Sequence, residues 1–592
     1  MEVLCNSYEE ERILYDKWAE IEVNGEKFKF RLADAKNILE LTSKADYHID
    51  YMPIELHSRI YYLFTRGKKL YITPKINKVW RRKANLHCRT TKKYIVFSGK
   101  YTDISKTFPD CDNVYLGDEI VTKIHRPFKF DLLKDYAVIK IPYESIKKAG
   151  QVHCQVFIGD SKGNKMSVNL NKKHKGINYF ARKAVGEDFF LVRSVISSAK
   201  VRIVNIPMSA EYKPINLFKN AVAHILSKII GHTNSALLFE KETRKANESG
   251  YYVFEEIMRR KNIKSKVFFV IDKESPDFEK VYSTYPNNTL IKYSFKHYLY
   301  IYISKYFISS ELSNHVINPR LYIRSINKEI ARKPLVFLQH GVMFAKPVDN
   351  PAAAGFKKSN SAINFFKCVV SSDLEATQFH ILGFNNSDLI KCGLPKFDIS
   401  KMDEKADKIL VMLTYRYWEE ALVMNPETIT ETTYYNAYME ILNALEKEGL
   451  LDRVLISCHP KFAECIIKAA PKYEALVEKD INKALENAKI FITDYSSASY
   501  DAHYRGAYVI YNWKERDYLI ENYKAIPPVN ENNCDGVPTF SVEELVSEVK
   551  KAIANNYVMD PMYEERYRKI NEFHDGKNGE RLVDALIELN VI

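Results

Sequence analysis

Two histidines in this chain follow apolar runs that read as buried β-strands. His340 and Gly341 follow Leu335–Leu338 after one intervening residue, and His459 follows Val454–Ser457 in the same way. A neutral histidine at a strand end can take a proton from a substrate hydroxyl near neutral pH. Each histidine also has a purely structural interpretation, as a turn residue with no ligand.

Two further motifs place hydroxyl groups and a cation at strand ends. Asp494, Ser496 and Ser497 follow the run Ile490–Thr493 and lead into a predicted helix. Serine is a favoured N-cap, and free N–H groups with the positive end of a helix dipole can bind phosphate. The fourth motif, Thr414-Tyr-Arg416, places a cation after another strand.

These motifs favour phosphate chemistry because ligands of open parallel sheets bind at the carboxyl ends of the strands. Several common nucleotide sites are missing from the sequence. It contains no Gly-x-x-x-x-Gly-Lys-Ser/Thr loop and no Gly-x-Gly-x-x-Gly after a strand. No Asp-x-Asp pair follows a strand in the predicted sheets, so a divalent metal is not indicated and no cofactor is predicted with certainty.

The elements that would position these motifs alternate between short apolar runs and longer helical patterns, which predicts parallel sheets. The predicted helices include Ile215–Ile230 and Tyr438–Lys447, and Ser541-x-x-Glu544 predicts a capping box. Two doubly wound parallel-sheet domains, 226–392 and 393–592, should face each other across a cleft. The predicted strands are Ala236–Phe239, Lys266–Ile271, Lys305–Ser309, Leu335–Gln339, Cys368–Ser371, Ile409–Thr414, Val454–Ser457, Ile490–Thr493 and Tyr508–Tyr511.

Residues 1–225 have a different character, since apolar residues there alternate with a period of two. Asn24-Gly25 predicts a tight hairpin, and Pro53–Thr65 is a candidate helix. Further strands are predicted at Tyr136–Pro142, Val152–Ile158 and Met166–Leu170. We interpret this region as a β-rich accessory domain without a catalytic constellation.

The net charge of +13 is concentrated in one stretch of that region. Between Arg66 and Lys93 there are eleven Lys or Arg residues and no Asp or Glu. Such a block attracts an anionic membrane or an anionic polymer, although a solvated basic face without function remains an alternative. No nucleic-acid-binding motif accompanies the charge, so nucleic acid is not favoured as a partner.

The sequence also suggests where the protein acts. No run of about 18 apolar residues occurs, and the first residues, Met1–Glu11, are acidic where a signal peptide would be basic and then apolar. Nine scattered cysteines with no Cys-x-x-Cys pair indicate neither disulfides nor structural zinc. We expect a cytoplasmic protein, peripheral at the inner face of the membrane.

The order and spacing of these motifs over roughly residues 235–592 resemble the CDP-glycerol glycerophosphotransferases, the teichoic acid polymerases. The most specific piece is Thr493-Asp-Tyr-Ser-Ser497 followed by Asp501. The others are His340-Gly341, Gly393-Leu-Pro-Lys-Phe-Asp398, Thr414-Tyr-Arg416, His459-Pro460 and His574-Asp-Gly-Lys-Asn-Gly-Glu-Arg581.

The resemblance implies a GT-B fold, a CDP-glycerol or CDP-ribitol donor, CMP release, and a lipid-linked or anionic polyol-phosphate polymer as acceptor. It makes His340 the base and His459 a second catalytic group on the donor pyrophosphate. The donor-binding residues it implies are Gly341, Lys396, Thr414, Arg416, Asp494, Ser496, Ser497 and Asp501. Many members read Trp-His-Gly-Thr-Pro where this chain has Gln339–Met343, which leaves the acceptor open.

Two other functions fit the same motifs. A GT-B capsule glycosyltransferase that uses a CMP-sugar would share a site for cytidine phosphate, but its acceptor would attack a sugar carbon. An inactive polymer-binding protein would keep the fold and turn nothing over.

Overall fold

A computed structural model describes residues 19–23, 26–34, 38–44, 52–56, 59–66, 69–73, 82–103, 112–128, 133, 135–149, 153–161, 165–168, 179–194, 201–319, 323–350, 355–359, 362–423, 428–458 and 460–592. The chain divides into two compact units, Met1–Ser209 and Ala210–Ile592. The domain limit predicted at residue 225 falls within a helix, Pro214–Ile230. That helix belongs to the second unit, because Asn220 in it accepts a hydrogen bond from Tyr302 (2.8 Å).

The described residues of the first unit form antiparallel strands and one short helix, α1 (Tyr143–Lys148). The strands are β1 (Ala19–Val23), β2 (Glu26–Asp34), β3 (Ile38–Lys44), β4 (Met52–Leu56), β5 (Arg59–Arg66), β6 (Lys69–Thr73), β7 (Arg82–Thr90), β8 (Tyr94–Asp103), β9 (Asn113–Leu116), β10 (Glu119–Lys123), β11 (Tyr136–Pro142), β12 (His153–Gly159), β13 (Lys165–Ser167), β14 (Tyr179–Val185), β15 (Asp188–Ser194) and β16 (Val201–Pro207).

These strands form three sheets, with orders β1-β2-β3-β6-β5-β4, β10-β9-β12-β16-β15-β14 (with β13 on β12) and β11-β8-β7. The predicted hairpin is confirmed, since Val23 pairs with Glu26. The helix predicted at Pro53–Thr65 is wrong, because β4 and β5 pair there as antiparallel strands. The Tyr and Phe residues of β5 favour a pleated, half-buried strand over a helix. The β-rich character of this region is confirmed.

The second unit begins with a wholly parallel sheet of order β19-β18-β17-β20-β21-β22-β23. The chain reverses its direction of winding between β17 and β20, and ligands of such sheets bind at this switch point. The strands are β17 (Ser235–Phe239), β18 (Lys266–Ile271), β19 (Thr289–Ile291), β20 (Tyr306–Ser309), β21 (Pro334–Phe337), β22 (Asn364–Val370) and β23 (Leu389–Lys391). The helices are α2 (Pro214–Ile230), α3 (Ser249–Arg259), α4 (Phe278–Thr284), α5 (Phe295–Ile303), α6 (Arg324–Arg332) and α7 (Asp373–Ile381).

A second parallel sheet follows, of order β25-β24-β26-β27-β28, with its switch point between β24 and β26. Alternate residues of one strand enter two different cores, as Ile490 and Phe491 do, so both faces are covered. The strands are β24 (Lys408–Val411), β25 (Val454–Ile456), β26 (Ala488–Thr493), β27 (Tyr508–Asn512) and β28 (Val537–Thr539). The helices are α8 (Glu420–Val423), α9 (Thr433–Lys447), α10 (Pro460–Ala469), α11 (Ile481–Glu486), α12 (Ala498–Tyr504), α13 (Arg516–Tyr523), α14 (Val542–Ala554), α15 (Pro561–Ile570) and α16 (Asn578–Glu588).

All nine predicted strands of the second unit occur, with ends shifted by a few residues, so the predicted pair of parallel sheets is confirmed. The predicted cap of α14 is also present, since Ser541 Oγ accepts the Glu544 N–H (3.1 Å) and Glu544 Oε2 accepts the Phe540 N–H (2.7 Å). Among the described residues no helix is both long and apolar enough to cross a membrane.

The last two helices return to the first sheet. Leu582 and Leu586 of α16 lie in one buried core with Ala236 of β17. Asp398 fixes the start of α16, because its carboxylate accepts the N–H groups of Asn578 (2.9 Å) and Gly579 (2.7 Å). The Gly393–Asp398 and His574–Arg581 motifs therefore meet. No side chain fits at Gly393, where φ is +80° and a Cβ would lie 2.6 Å from Asn578 Oδ1.

Candidate active site

His340 lies on a turn that follows β21, the strand next to the switch-point strand β20. Gln339 in this turn adopts a left-handed conformation, with φ of 61°. The Gln339 side chain is buried and its amide nitrogen donates to Val369 O (2.5 Å) and Glu375 Oε1 (3.1 Å). The neighbouring His340 side chain is exposed. The buried glutamine thus anchors the turn that presents the histidine to solvent.

Glu375 anchors the same turn from α7. Its carboxylate accepts the N–H groups of Met343 and Ser371, both at 2.6 Å. Burial raises its pKa to about 7, against the effect of these hydrogen bonds. Glu375 was not predicted as a site residue from the sequence. The signal was available, since Ser372-x-x-Glu375 has capping-box spacing and Ser372 Oγ does accept the Glu375 N–H (2.9 Å).

The His340 imidazole is neutral at physiological pH. Its pKa is lowered to about 4, first because the surrounding protein displaces water and then because Lys396, Lys241 and Lys346 lie nearby. A hydrogen bond to the Ser310 backbone acts in the opposite direction. Part of the imidazole ring is exposed to the cleft, although protein surrounds the rest of it. A substrate can therefore reach the ring, and its pKa is still strongly lowered.

Lys241 and Lys346 are exposed cations that the sequence analysis did not select. Lys241 follows β17 at the switch point of the first sheet, and Lys346 lies six residues after His340. The surrounding protein displaces water from the Lys346 ammonium group and lowers its pKa, while Asp494 of the second sheet acts to raise it. These lysines add positive charge where the two sheets approach each other.

Three carboxyl groups near the carboxyl ends of β17 and β20 offset little of the positive charge of these lysines. Glu240 accepts three backbone N–H groups, and burial raises its pKa to about 8. Burial likewise raises the pKa of Glu311 to about 7 and that of Glu248 above its ordinary value. Glu240 is therefore mostly protonated at neutral pH, which leaves the nearby lysines electrostatically dominant.

Asp494 joins the carboxyl ends of β24 and β26. Its Oδ1 accepts the N–H groups of Thr414 (2.7 Å) and Tyr495 (2.6 Å), and its backbone oxygen accepts from Trp513 Nε1 (3.0 Å). Asp494 and Thr414 are each 2% exposed. Both residues stand at the switch point of the second sheet, where they shape the turn from within.

The expectation of free N–H groups at the start of α12 is wrong for most of the turn. The Ser496 N–H donates to Thr493 Oγ1 (3.3 Å), the Ala498 N–H to Ser496 Oγ (3.3 Å) and the Ser499 N–H to Ser496 O (3.1 Å). Two hydroxyl groups and one backbone carbonyl oxygen of the turn itself accept from these donors, an effect that strand-end spacing does not reveal. Side-chain donors of the turn can serve a ligand in their place.

Ser497 is one such side chain. It is the N-cap residue of α12, makes no capping hydrogen bond through its side chain, and is only half-buried. It also lies against the His340 turn, because a Cβ built on Gly341 would be 3.1 Å from Ser497 Oγ. The structure thus brings the His340-Gly341 motif of the first sheet next to the Asp494–Ser497 motif of the second sheet.

Arg416 is placed differently from a cation at an open strand end. It is 1% exposed, and its guanidinium donates to Glu515 Oε2 (2.6 Å) and to Thr433 Oγ1. Its distance to Asp494 Oδ2 is 4.0 Å. In this arrangement Arg416 supports the Asp494 turn from its buried side. Direct contact of Arg416 with a nucleotide donor stays a prediction.

Lys396 connects the two sheets. Its ammonium group lies 2.6 Å from Asp501 Oδ1 on α12 and donates to the His340 backbone oxygen at 2.7 Å. The side chains of Lys396 and Asp501 are 11% and 7% exposed. This largely buried ion pair holds the His340 turn beside the Ser497 turn.

The opposite side of α12 is fixed by a charged histidine. His503 lies between Asp535 Oδ2 and Glu564 Oε2, each at 3.1 Å. Burial opposes its charge, but the two carboxylates prevail and raise its pKa to about 9. Glu564 belongs to α15, so the helix that carries Asp501 is tied to the C-terminal helices.

His459 lies outside the described residues. Only the elements on either side of it are described, β25 and α10. The structure therefore does not test its predicted role. Among the described residues no group of three or more His, Cys, Asp or Glu side chains could hold a metal ion, and independence from metal stays a prediction.

Comparison with known proteins gives three results. A family model described as CDP-Glycerol:Poly(glycerophosphate) glycerophosphotransferase matches residues 222–588. The minor teichoic acid biosynthesis protein GgaB of Bacillus subtilis (strain 168) is 23% identical over 403 residues, which cover 63% of this chain. The match covers 42% of GgaB, so the chain spans less than half of that relative.

Solved structures also align with the chain. The wall teichoic acid polymerase TagF covers 64% of this chain and 94% of its own, with 12% identity and a TM-score of 0.44. A UDP-GlcNAc 2-epimerase of Methanocaldococcus jannaschii, solved with UDP-GlcNAc and UDP, covers 60% of this chain and 100% of its own. Its identity is 13% and its TM-score 0.38.

Proposed function

Because this chain belongs to the CDP-glycerol:poly(glycerophosphate) glycerophosphotransferase family, we propose that it transfers a polyol phosphate from a CDP-polyol to a teichoic-acid-type or capsule-type polymer. The observation that carries the proposal is the approach of His340, Lys396 and Ser497 from two parallel sheets. A base, a cation and a hydroxyl near the carboxyl ends of two parallel sheets suit phosphoryl transfer.

In the proposed reaction an acceptor hydroxyl oxygen attacks the distal phosphorus of the donor. A new P–O bond forms, the bond from that phosphorus to the bridging oxygen breaks, and CMP leaves with the bridging oxygen. His340 takes the hydroxyl proton through its unprotonated nitrogen. This role requires the neutral imidazole that its lowered pKa favours.

Charge that develops on the phosphoryl oxygens and on CMP needs donors held in place beforehand. Lys241, Lys346 and the Ser497 hydroxyl are available for this purpose, because the first two are exposed and the third makes no capping bond. Fixed donors of this kind typically contribute about 2.7–4 kcal/mol each to a transition state. Thr414, Asp494 and Arg416 would hold the Asp494–Ser497 turn in place from its buried side.

We expect CMP release to be fast with a CDP-polyol and slow with a CMP-sugar. CDP-glycerol, CDP-ribitol and CMP-sialic acid should be compared at equal concentration with a polyol-phosphate acceptor. Release of CMP from CMP-sialic acid alone would support the glycosyltransferase alternative. No release from any donor would support the inactive polymer-binding protein.

We further propose that the protein binds the anionic face of a membrane. The basic stretch Arg66–Lys93 supports this, although part of it lies outside the described residues. Helix α2 provides an apolar surface as well, since Ile215, Phe218, Ile225 and Ile229 lie on one face and are 58% to 78% exposed. Lysines flank that face, and residues 212–239 contain no acidic residue. Such a helix is suited to lie in a membrane interface.

Liposome sedimentation should separate the two contributions. We expect binding to phosphatidylglycerol vesicles to fall in Lys92→Glu/Lys93→Glu and to weaken with salt. Binding should fall in Ile225→Ser/Ile229→Ser as well, with less dependence on salt. Binding that is insensitive to both double substitutions and to salt would contradict the proposal. A loss of self-association in place of vesicle binding would assign α2 to a contact between copies.

A further inference from the structure

A second concave surface lies at the amino-terminal edge of the first parallel sheet, opposite the edge that carries His340. It is a bowl of about 790 Å³ whose lining includes the side chains of His232, Lys264, Lys305, Glu329, Arg332 and Lys333. The four residues of β21 alone separate this edge from the His340 edge by about 13 Å. The bowl is therefore distinct from the candidate active site.

Basic side chains of this bowl form a row across the sheet. Lys264 precedes β18, His232 precedes β17, Lys305 directly precedes β20, and Arg332 precedes β21. These four strands are consecutive neighbours in the sheet. With neighbouring strands about 4.8 Å apart, the row extends over about 14 Å. That length exceeds what a single phosphate group would contact.

The charge of the row is not neutralised within the described part of the chain. Lys264, Lys305 and Arg332 are exposed, and none lies within ion-pair distance of a described carboxylate. Glu329, the acidic residue of the lining, lies 3.1 Å from Lys333 Nζ. Lys333 is itself buried and donates to Tyr302 O and Ser304 O. Three like charges thus converge without compensation, which favours occupation by an anion.

We infer that this row binds the phosphodiester backbone of the polyanionic acceptor or product, as a second site remote from the transfer site. The inference rests on the proposed function for the identity of the polymer, but the charge and shape of the bowl do not depend on it. A linear chain with regularly spaced phosphates can engage several cations of the row at once. Free phosphate can engage few of them, so the row favours polymer.

Such a site would keep the growing polymer attached between transfers. A tethered polymer chain has a high effective concentration near the transfer site, so it rebinds repeatedly. This lowers the chance that the polymer is released after each addition. The site would then influence the length of the product without taking part in the chemical step.

The test compares Lys264→Glu/Lys305→Glu with the matched variant Lys447→Glu/Lys468→Glu. The control makes the same change in charge at two exposed lysines on helices α9 and α10, which flank the second sheet. Labelled poly(glycerol phosphate) is titrated into each full-length protein, with inorganic phosphate and polyglutamate as competitors. We expect affinity for the polymer to fall roughly tenfold or more in the first variant only, with competition far weaker from phosphate than from unlabelled polymer.

Equal polymer affinity in the two variants would overturn the inference. Competition by inorganic phosphate as effective as that by polymer would also overturn it, because the bowl would then be a site for free phosphate. Unfolding curves must coincide with that of the parent protein, and Lys305→Gln replaces the first variant if they do not.

A turnover assay separates this inference from the proposed function. With CDP-polyol and a short acceptor, we expect an unchanged initial rate of CMP release in Lys264→Glu/Lys305→Glu but shorter products. An absence of turnover in the parent protein, together with a selective loss of polymer binding in the variant, would reject the proposed function and leave the second site standing.

Discussion

Replacing His340 with alanine is expected to lower kcat for CMP release by a factor of about 10² to 10⁴, the usual contribution of a general base. The imidazole faces the cleft while Gln339 and Glu375 fix the backbone beneath it. The substitution should therefore remove the proton acceptor without disturbing the turn. Donor affinity, measured by calorimetry with a CDP-polyol, should change little.

The matched control is His380→Ala, an exposed histidine on α7 that bonds Asn386. Its turnover should equal that of the parent protein. His340→Gln keeps a hydrogen-bonding side chain without a base at this pH, and it should be as slow as His340→Ala. Near-normal rates in either His340 variant would contradict the assignment of the base.

The pH profile offers an independent check on His340. The base must be neutral, so activity is lost as pH falls through its pKa, and that pKa lies at about 4 in the free protein. The apparent pKa of the acidic limb of the kcat/KM profile should therefore lie well below 6.5, the ordinary pKa of histidine. The negative pyrophosphate of a bound donor would offset the nearby lysines. The kcat profile reports the enzyme with its donor bound. The apparent pKa of its acidic limb should therefore be higher than that of the kcat/KM profile.

Removing Lys396 should destabilise the second unit more than any surface substitution. Lys396→Met leaves the Asp501 carboxylate buried without its partner, which typically costs about 3–5 kcal/mol in the free energy of unfolding. The double variant Lys396→Met/Asp501→Asn removes both charges and should recover most of that loss. Chemical unfolding followed by tryptophan fluorescence would measure both effects.

Turnover distinguishes a positioning role of Lys396 from a purely structural one. The His340 backbone oxygen loses its 2.7 Å donor in both variants, so kcat should stay low in the double variant even where stability returns. Lys391→Met is the matched control, since its ion pairs with Asp373 and Glu572 are partly exposed and such pairs typically contribute about 0–1 kcal/mol. A double variant as unstable as the single one would contradict the ion-pair account.

The sheet architecture could be predicted because buried parallel strands leave a plain signal. All five residues of β17 are buried, and its sequence Ser-Ala-Leu-Leu-Phe is almost wholly apolar. The three strands that were missed, β19, β23 and β28, have only three residues each. Runs of that length do not establish a period. The erroneous helix at Pro53–Thr65 shows the same ambiguity for a short apolar segment.

Site residues could be predicted only where a side chain suited to catalysis or phosphate binding follows a predicted strand. His340, Asp494 and Ser497 were found because each follows a strand. The roles of Lys241, Glu375 and Glu515 depend on contacts between residues about 35 to 100 positions apart, which no local pattern encodes. Arg416 illustrates the limit, because its position after β24 suggested an open cation while its burial depends on Glu515 of a later loop.

The measurement that tests the central claim most directly is the mass of the product formed from a CDP-polyol and a defined short acceptor. The proposed function predicts that the acceptor gains whole polyol-phosphate units, with one CMP released for each unit. An acceptor of unchanged mass, or one that grows by sugar units from a CMP-sugar only, would contradict it.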